Sequence, residues 1–203
     1  MRKVILVLLA VVWVLACVPG AAAQGDPPVY YGLERYENDF YAFYYPANAT
    51  LEIISETELR VLGPEVTIRP VDYDFQITGS AYQMTFTLYD NPDFLLPPQW
   101  AEQAILADWQ TIQDLGGPNT LPVSGDGVLD EDALYVFRMG DTMVAQAEFF
   151  GGDRGILRFY IATYDKILVV QFDEELVPNN PLALMQQDVY TLIMSTLEVT
   201  FMG

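Results

Sequence analysis

The sequence predicts an α+β protein: an antiparallel β-sheet of about six to eight strands flanked by two main helices. Three observations predict it. Apolar residues recur with period two from Phe40 to Leu88 and again from Leu134 to Phe172. Short Gly- or Asp-containing connections join the later runs. Two segments, each bounded by Pro or Gly, switch to the helical period.

The first strand carries Phe40, Ala42 and Tyr44 on one face and Tyr41, Phe43 and Tyr45 on the other, before Pro46 stops it. Leu51 and Ile53 alternate with Glu52 in a second strand. Leu59–Leu62 and Val66–Ile68 flank Gly63-Pro64, a turn signal that predicts a hairpin between them. Met84, Phe86 and Leu88 alternate with Thr85 and Thr87, the pattern of a strand with one wet face. Gln99 to Leu115 lies between Pro97-Pro98 and Gly116-Gly117-Pro118 and predicts a helix. At about 3.6 residues per turn, its Ala101, Ala104, Ile105, Ile112 and Leu115 share one stripe. Leu134–Met139, Met143–Phe150, Gly155–Ala162 and Ile167–Phe172 read as a meander, because connections this short join only antiparallel neighbours. A closing helix, Leu182 to Leu197, follows Asn180-Pro181 and carries a stripe of Met185, Val189, Leu192, Ile193 and Leu197.

The chain opens with Met1-Arg2-Lys3, an apolar run Val4–Leu15, the breaker Pro19-Gly20 and the small residues Ala21-Ala22-Ala23. Residues 1–23 therefore read as a secretory signal, 24–35 as a lead-in and 36–203 as one α+β domain. The uncharged stretch Val4–Ala23 is also long enough to be kept as an anchor, but no basic stop-transfer cluster follows it. Val14-Leu15-Ala16-Cys17 is similar to a bacterial lipobox, so Cys17 is either a lipidation site or a part of the leader that is discarded. Both routes place the domain outside the cytoplasm, secreted, periplasmic or at the cell surface. Neither leaves it a disulfide, since Cys17 is the sole cysteine. The 28 acids face 9 bases, and without Arg2 and Lys3 they face 7, a net charge of −21. Such a surface repels nucleic acid and anionic lipid, so a membrane is met only through a lipid on Cys17. It suits solubility or acid and salt adaptation, and it attracts cations and basic partners.

Tyr36-Glu37-Asn38 leading into Tyr41-Ala42-Phe43-Tyr44-Tyr45-Pro46, the helix at Trp100–Leu115, the meander and the last helix at Tyr190–Leu197 together resemble the PsbP-like superfamily. That family includes an extrinsic photosystem subunit and small exported bacterial lipoproteins. The resemblance covers Tyr36 to Thr200 and departs where Pro46 is followed by Ala47-Asn48-Ala49-Thr50, without the tryptophan that members often carry there. It implies α/β/α layers and a non-catalytic adaptor or assembly role, and it transfers no functional residue.

Histidine is absent, which excludes His-based triads, His-ligated zinc and a His general base. Gly116-Gly117 ends a helix instead of opening one, the reverse of a phosphate loop. The strongest acid cluster runs Gly125-Asp126 to Asp132, and Asp126, Asp130 and Asp132 are the candidate ligands for a hard cation such as calcium. The spacing is not that of an EF-hand, and the competing reading is a solvated turn. Asp72-Tyr73-Asp74 and Asp90-Asn91-Pro92-Asp93 are weaker clusters. A carboxylate pair for glycoside hydrolysis finds no distinctive spacing among so many acids.

Asp108 falls within the apolar stripe of its helix, where a charge is costly unless paired. Three readings are open for it: an ion pair with Arg60, Arg69, Arg138 or Arg158; a rotated helix that leaves it at the boundary; or a carboxylate facing a cavity. The series Tyr30-Tyr31, Tyr36, Tyr41 and Tyr44-Tyr45 suits either a binding surface or, more in keeping with a sheet, its core. The expected function is a non-catalytic exported binding or assembly module for an unidentified protein. The alternatives are a small-ligand or calcium-binding domain and, last, a carboxylate hydrolase. No cofactor other than calcium is expected.

Overall fold

A computed structural model describes residues 32–68, 76–114, 121–151, 154–163, 165–175 and 182–200. The leader with Cys17, Tyr30-Tyr31, Arg69, the Asp72–Asp74 cluster and Asn180-Pro181 lie outside them. A seven-stranded antiparallel sheet forms the centre. Its order is β3 (Thr50–Ile53), β4 (Glu58–Leu62), β7 (Gln83–Asp90), β11 (Lys166–Glu175), β10 (Arg154–Ala162), β9 (Thr142–Gly151) and β8 (Tyr135–Met139). The predicted meander is its second half, in sequence order. The hairpin from β8 to β9 turns on Gly140-Asp141, with Gly140 at φ 61, the positive value that the first central residue of a type II′ turn requires.

Alternation along the strands gives the sheet two chemically different faces. On one, Leu59, Val61, Met84, Phe86, Leu88, Ile161, Leu168, Val170 and Phe172 form the main core. That face is covered by helix α2 (Ala183–Thr196), through Val189 and Ile193, and by a three-stranded sheet of β1 (Leu33–Glu37), β2 (Tyr41–Pro46) and β12 (Glu198–Val199). Tyr41, Phe43 and Tyr45 point from β2 into the core, and Phe43 stacks on Phe86 with ring centroids 4.5 Å apart. The tyrosine series thus contributes Tyr41 and Tyr45 to packing, while Tyr44 on the opposite face stays exposed. The opposite face of the large sheet packs helix α1 (Pro97–Asp114), whose Ala101 and Ile105 are fully buried against Ala145, Ala147, Phe149, Tyr160 and Val169. The result is the α+β layering expected, with one outer layer mixed, helix and small sheet together.

Two details differ from the sequence reading. A strand already runs through the end of the stretch read as a lead-in, since Leu33–Glu37 pairs with β2. Gly63-Pro64 is not a hairpin turn. β4 and β5 (Glu65–Ile68) instead follow one another along a long ribbon, pairing in turn with β7 and with β6 (Ile77–Ser80). The ribbon continues through Gly63-Pro64, where Gly63 N–H donates to Tyr82 O at 2.8 Å and Ala81 N–H to Pro64 O at 2.9 Å. Tyr82 lies so close that a Cβ on residue 63 would sit 2.7 Å from its ring and 2.9 Å from its backbone nitrogen. Glycine is needed here for close approach, which leaves the same local signature as a turn. The buried Gln186 of α2 donates from Nε2 to Ala81 O at 3.0 Å and ties the helix to this interruption.

Candidate functional site

Helix α1 covers only part of its side of the sheet, contacting β9 and β10. On the same face, β3, β4 and β7 present a half built from polar side chains. Register places these side chains in rows across the strands. Glu52 lies opposite Arg60, Arg60 opposite Thr85, Thr85 opposite Gln171, Gln171 opposite Arg158, and Arg158 opposite Ala147. A neighbouring row runs Leu62, Gln83, Asp173, Ile156 and Phe149. Every side chain on these rows shares one face, because pairing preserves the pleat.

The polar groups in the rows hold one another. Gln83 Nε2 donates to Asp173 Oδ2 at 3.0 Å, and Gln171 Nε2 to Asp173 Oδ1 at 2.9 Å. Arg158 Nε donates to Gln171 Oε1 at 2.8 Å and its NH1 to Asp108 Oδ2 at 2.8 Å. The Arg158 guanidinium also lies 5.0 Å from the centroid of the Phe149 ring. Burial works against the Arg158 charge, but Asp108 and Tyr160 outweigh it and its pKa is raised. Burial raises the pKa of the neighbouring Tyr160 hydroxyl, with Arg158 opposing. Arg60 sits between Glu52 and Glu58, 3.7 and 3.8 Å from their carboxylates. Thr85 and Thr87 lie between these two arginine centres, half-buried. At the end of β7 the exposed Tyr89 rests against Trp100 of α1, centroids 5.1 Å apart. This is a surface of hydroxyl, amide, carboxylate and guanidinium groups in which Gln83, Gln171, Asp173 and Arg158 are set by mutual hydrogen bonds.

Asp108 resolves as an ion pair with Arg158, at the margin of α1 where half of its side chain remains exposed. The pairing and the boundary position expected as alternatives hold together. The acid cluster is disposed differently. Asp126 accepts a hydrogen bond from Ser124 Oγ, the largest cause of its lowered pKa, and Ser124 Oγ also lies 2.9 Å from Val128 O. Asp126, Asp130 and Asp132 are all exposed, and among the described residues no three carboxylate or thiol side chains gather into a group that could hold a metal ion. The loop closes as a turn, with Val123 bridged to Leu129 and Gly127 lying over the Trp109 ring. Asp90 is engaged by Lys166 Nζ at 2.6 Å, and the side chain of Asn91 closes the turn to Leu95.

No protein-family model matches the chain, and no curated protein matches it. Solved structures do. The solution structure of cyanobacterial PsbP (CyanoP) from Synechocystis sp. PCC 6803 is similar over 89% of this chain and 99% of that one, with a TM-score of 0.50 and 12% identity. A crystal structure from Bacteroides thetaiotaomicron VPI-5482 covers 83% of this chain at a TM-score of 0.49 and 10% identity. This chain spans 49% of that structure's length. The class defined is an α+β protein with the PsbP-like fold, as the resemblance in the sequence implied. Among the described residues no helix is long and apolar enough to cross a membrane.

Proposed function

We propose that the chain is a non-catalytic binding or assembly module working outside the cytoplasm, and that it meets a protein partner through the polar half of the large sheet. The observation that carries this reading is the row from Glu52 to Arg158, which runs outward from the margin of α1, with Arg158 and Gln171 bonded to each other and Arg60 set between Glu52 and Glu58 before any partner arrives. Preorganised polar side chains lose little rotamer entropy on binding, which favours recognition. The chemistry within reach supports binding over turnover. The rows hold hydroxyls, amides, arginines and carboxylates but neither imidazole nor thiol, and Asp108 at the α1 margin is paired with Arg158. The basic, apolar and small-residue order of residues 1–23 supports export, through cleavage after Ala23 or lipidation at Cys17.

A photo-crosslinking residue at Thr85 in the full chain, expressed in an exporting host, tests both parts. A discrete adduct from Thr85, absent from the exposed control position Gln187 on α2, is the expected result, together with a mature mass lacking the leader. Equal adducts from both positions overturn the surface. Intact Met1 on protein recovered from cytosol overturns the export.

A further inference from the structure

The two edges of the large sheet are built differently. β3 is four residues long and carries Glu52 at its centre, paired in register with Arg60 of the next strand. A charge within a short edge strand is a common protection against further pairing. β8 has neither proline nor lysine, and no described strand lies beyond it. Its Tyr135 and Val136 are 67% and 46% exposed, unusual for a tyrosine and a valine on a strand of the central sheet. Tyr135, Phe137 and Phe159 form an aromatic run on one side of this edge, with centroids 5.7 and 6.4 Å apart.

Backbone geometry states which groups the edge offers. The two-residue turn Gly140-Asp141 makes Met139 and Thr142 the hydrogen-bonded pair that closes the hairpin. Pairs alternate from there, so Phe137 and Tyr135 also bond to β9, whereas Arg138 and Val136 direct their N–H and C=O groups outward. Charge brackets this edge. Asp130, Glu131 and Asp132 precede it, Asp141 follows it, Glu148 lies on the adjoining β9, and all five are exposed. Arg138 is the single base on β8.

We infer that the edge of β8 accepts an extended, basic peptide segment of a partner protein as an added strand. Main-chain hydrogen bonds to Val136 and Arg138 supply the pairing, apolar side chains of the segment cover Tyr135 and Phe137, and its lysines or arginines meet the acids at both ends of the edge. A second copy of this chain fits less well, since it would bring its own acids to the same ends at a net charge of −21 for each mature molecule. This inference adds an edge to the binding-module reading and does not require the polar half of the sheet.

Fluorescence anisotropy with the full mature chain tests it, using four synthetic peptides of one alternating Val/Thr pattern. One has lysines at its ends, one has glutamates there, and two repeat the lysine peptide with N-methyl groups on alternate residues, each along a different edge. The lysine peptide is expected to bind at least tenfold more tightly than the glutamate peptide, and to weaken as salt rises. N-methylation in one of its two alternating registers is expected to abolish binding, since it removes the donors facing β8. In the chain, Val136→Pro is expected to lower affinity at least tenfold, because its N–H faces outward and no bond to β9 is lost. Equal binding of lysine and glutamate peptides, no binding of either, or tolerance of N-methylation in both registers each overturns the inference. So does a wild-type dimer that Val136→Pro converts to monomer. The methylated peptides decide the matter even where Val136→Pro does not fold. An unchanged Thr85 crosslink beside a failed peptide assay removes this inference alone.

Discussion

Along the row Glu52, Arg60, Thr85, Gln171, Arg158 and Ala147, the side of the sheet that packs α1 changes from charged to apolar in six positions. Under the helix, the strands supply alanines at 145 and 147 and a valine at 169, small enough for Ala101 and Ile105 to come down onto them. Beyond it, β4 and β7 supply arginine, threonine and glutamine, which stay partly solvated; Gln83 bonds to Asp173 of β11 and Arg60 faces Glu52 of β3. Arg158 and Asp108 mark the border, one end of the pair reaching under the helix and the other left in water. The lesson is that a helix narrower than its sheet divides one face into a packing half and a solvated polar half, with side-chain size and polarity changing at the helix margin.

The division predicts unequal costs for substitution. The largest belongs to the dry core: Phe86→Ala, which removes the ring stacked on Phe43, should lower unfolding free energy by about 3–5 kcal/mol in urea. A loss under 1 kcal/mol would mean that the core is not packed as described. Alkaline pH comes next. Tyr45 is buried, and its hydroxyl donates to Glu34 Oε2 at 2.8 Å, so its pKa is pushed up to about 12, while burial raises Tyr41 as well. A raised pKa means that the unfolded chain releases these protons first. The contribution is therefore complete below about pH 10 and disappears as pH climbs towards 12, on the order of 2 kcal/mol for Tyr45. Denaturation midpoints flat from pH 8 to 12 would contradict this.

At the border, Arg158→Ala should cost about 1.5–3 kcal/mol, since it strips partners from Gln171 and Asp108 and contact from Phe149. Asp108→Asn should cost at most about 1 kcal/mol, because half of the carboxylate is already in water. A double-mutant cycle reads their coupling, and equal single costs would place the border elsewhere. On the polar half, Thr85→Ala and Thr87→Ala should change stability by less than about 0.5 kcal/mol, leaving any loss of partner binding attributable to the surface. Smallest of all is the response to calcium. With Asp126 bonded to Ser124 and no carboxylate cluster among the described residues, millimolar calcium should leave Tm where EDTA leaves it. A clear rise in Tm would favour calcium at Asp126, Asp130 and Asp132.

Much of this organisation was legible before the fold. The alternation of Met84, Phe86 and Leu88 with Thr85 and Thr87 already assigned a dry and a wet side to β7, and the short connections ordered the meander. Asp108 stood out because it interrupted an apolar stripe. Its partner did not, since four arginines were eligible and choosing Arg158 required knowing which strands α1 crosses. Gly63-Pro64 misled for a related reason. A glycine demanded by the closeness of Tyr82 and a glycine demanded by a turn look the same in a local window, and only the partner strand distinguishes them. The polar row was hidden most completely, because its members come from residues as far apart as Glu52 and Gln171, and each alone reads as an ordinary wet position.

By itself, the sequence determined what depends on neighbours along the chain: strand and helix periods, the meander, the two helical stretches, and the absence of imidazole and thiol chemistry from the domain. Tertiary structure alone decided how far α1 extends across the sheet, which arginine receives Asp108, and that β8 is left at the rim. Those outcomes depend on strand order and register between distant segments, where every local choice is compatible with several arrangements and burial of the whole core selects one.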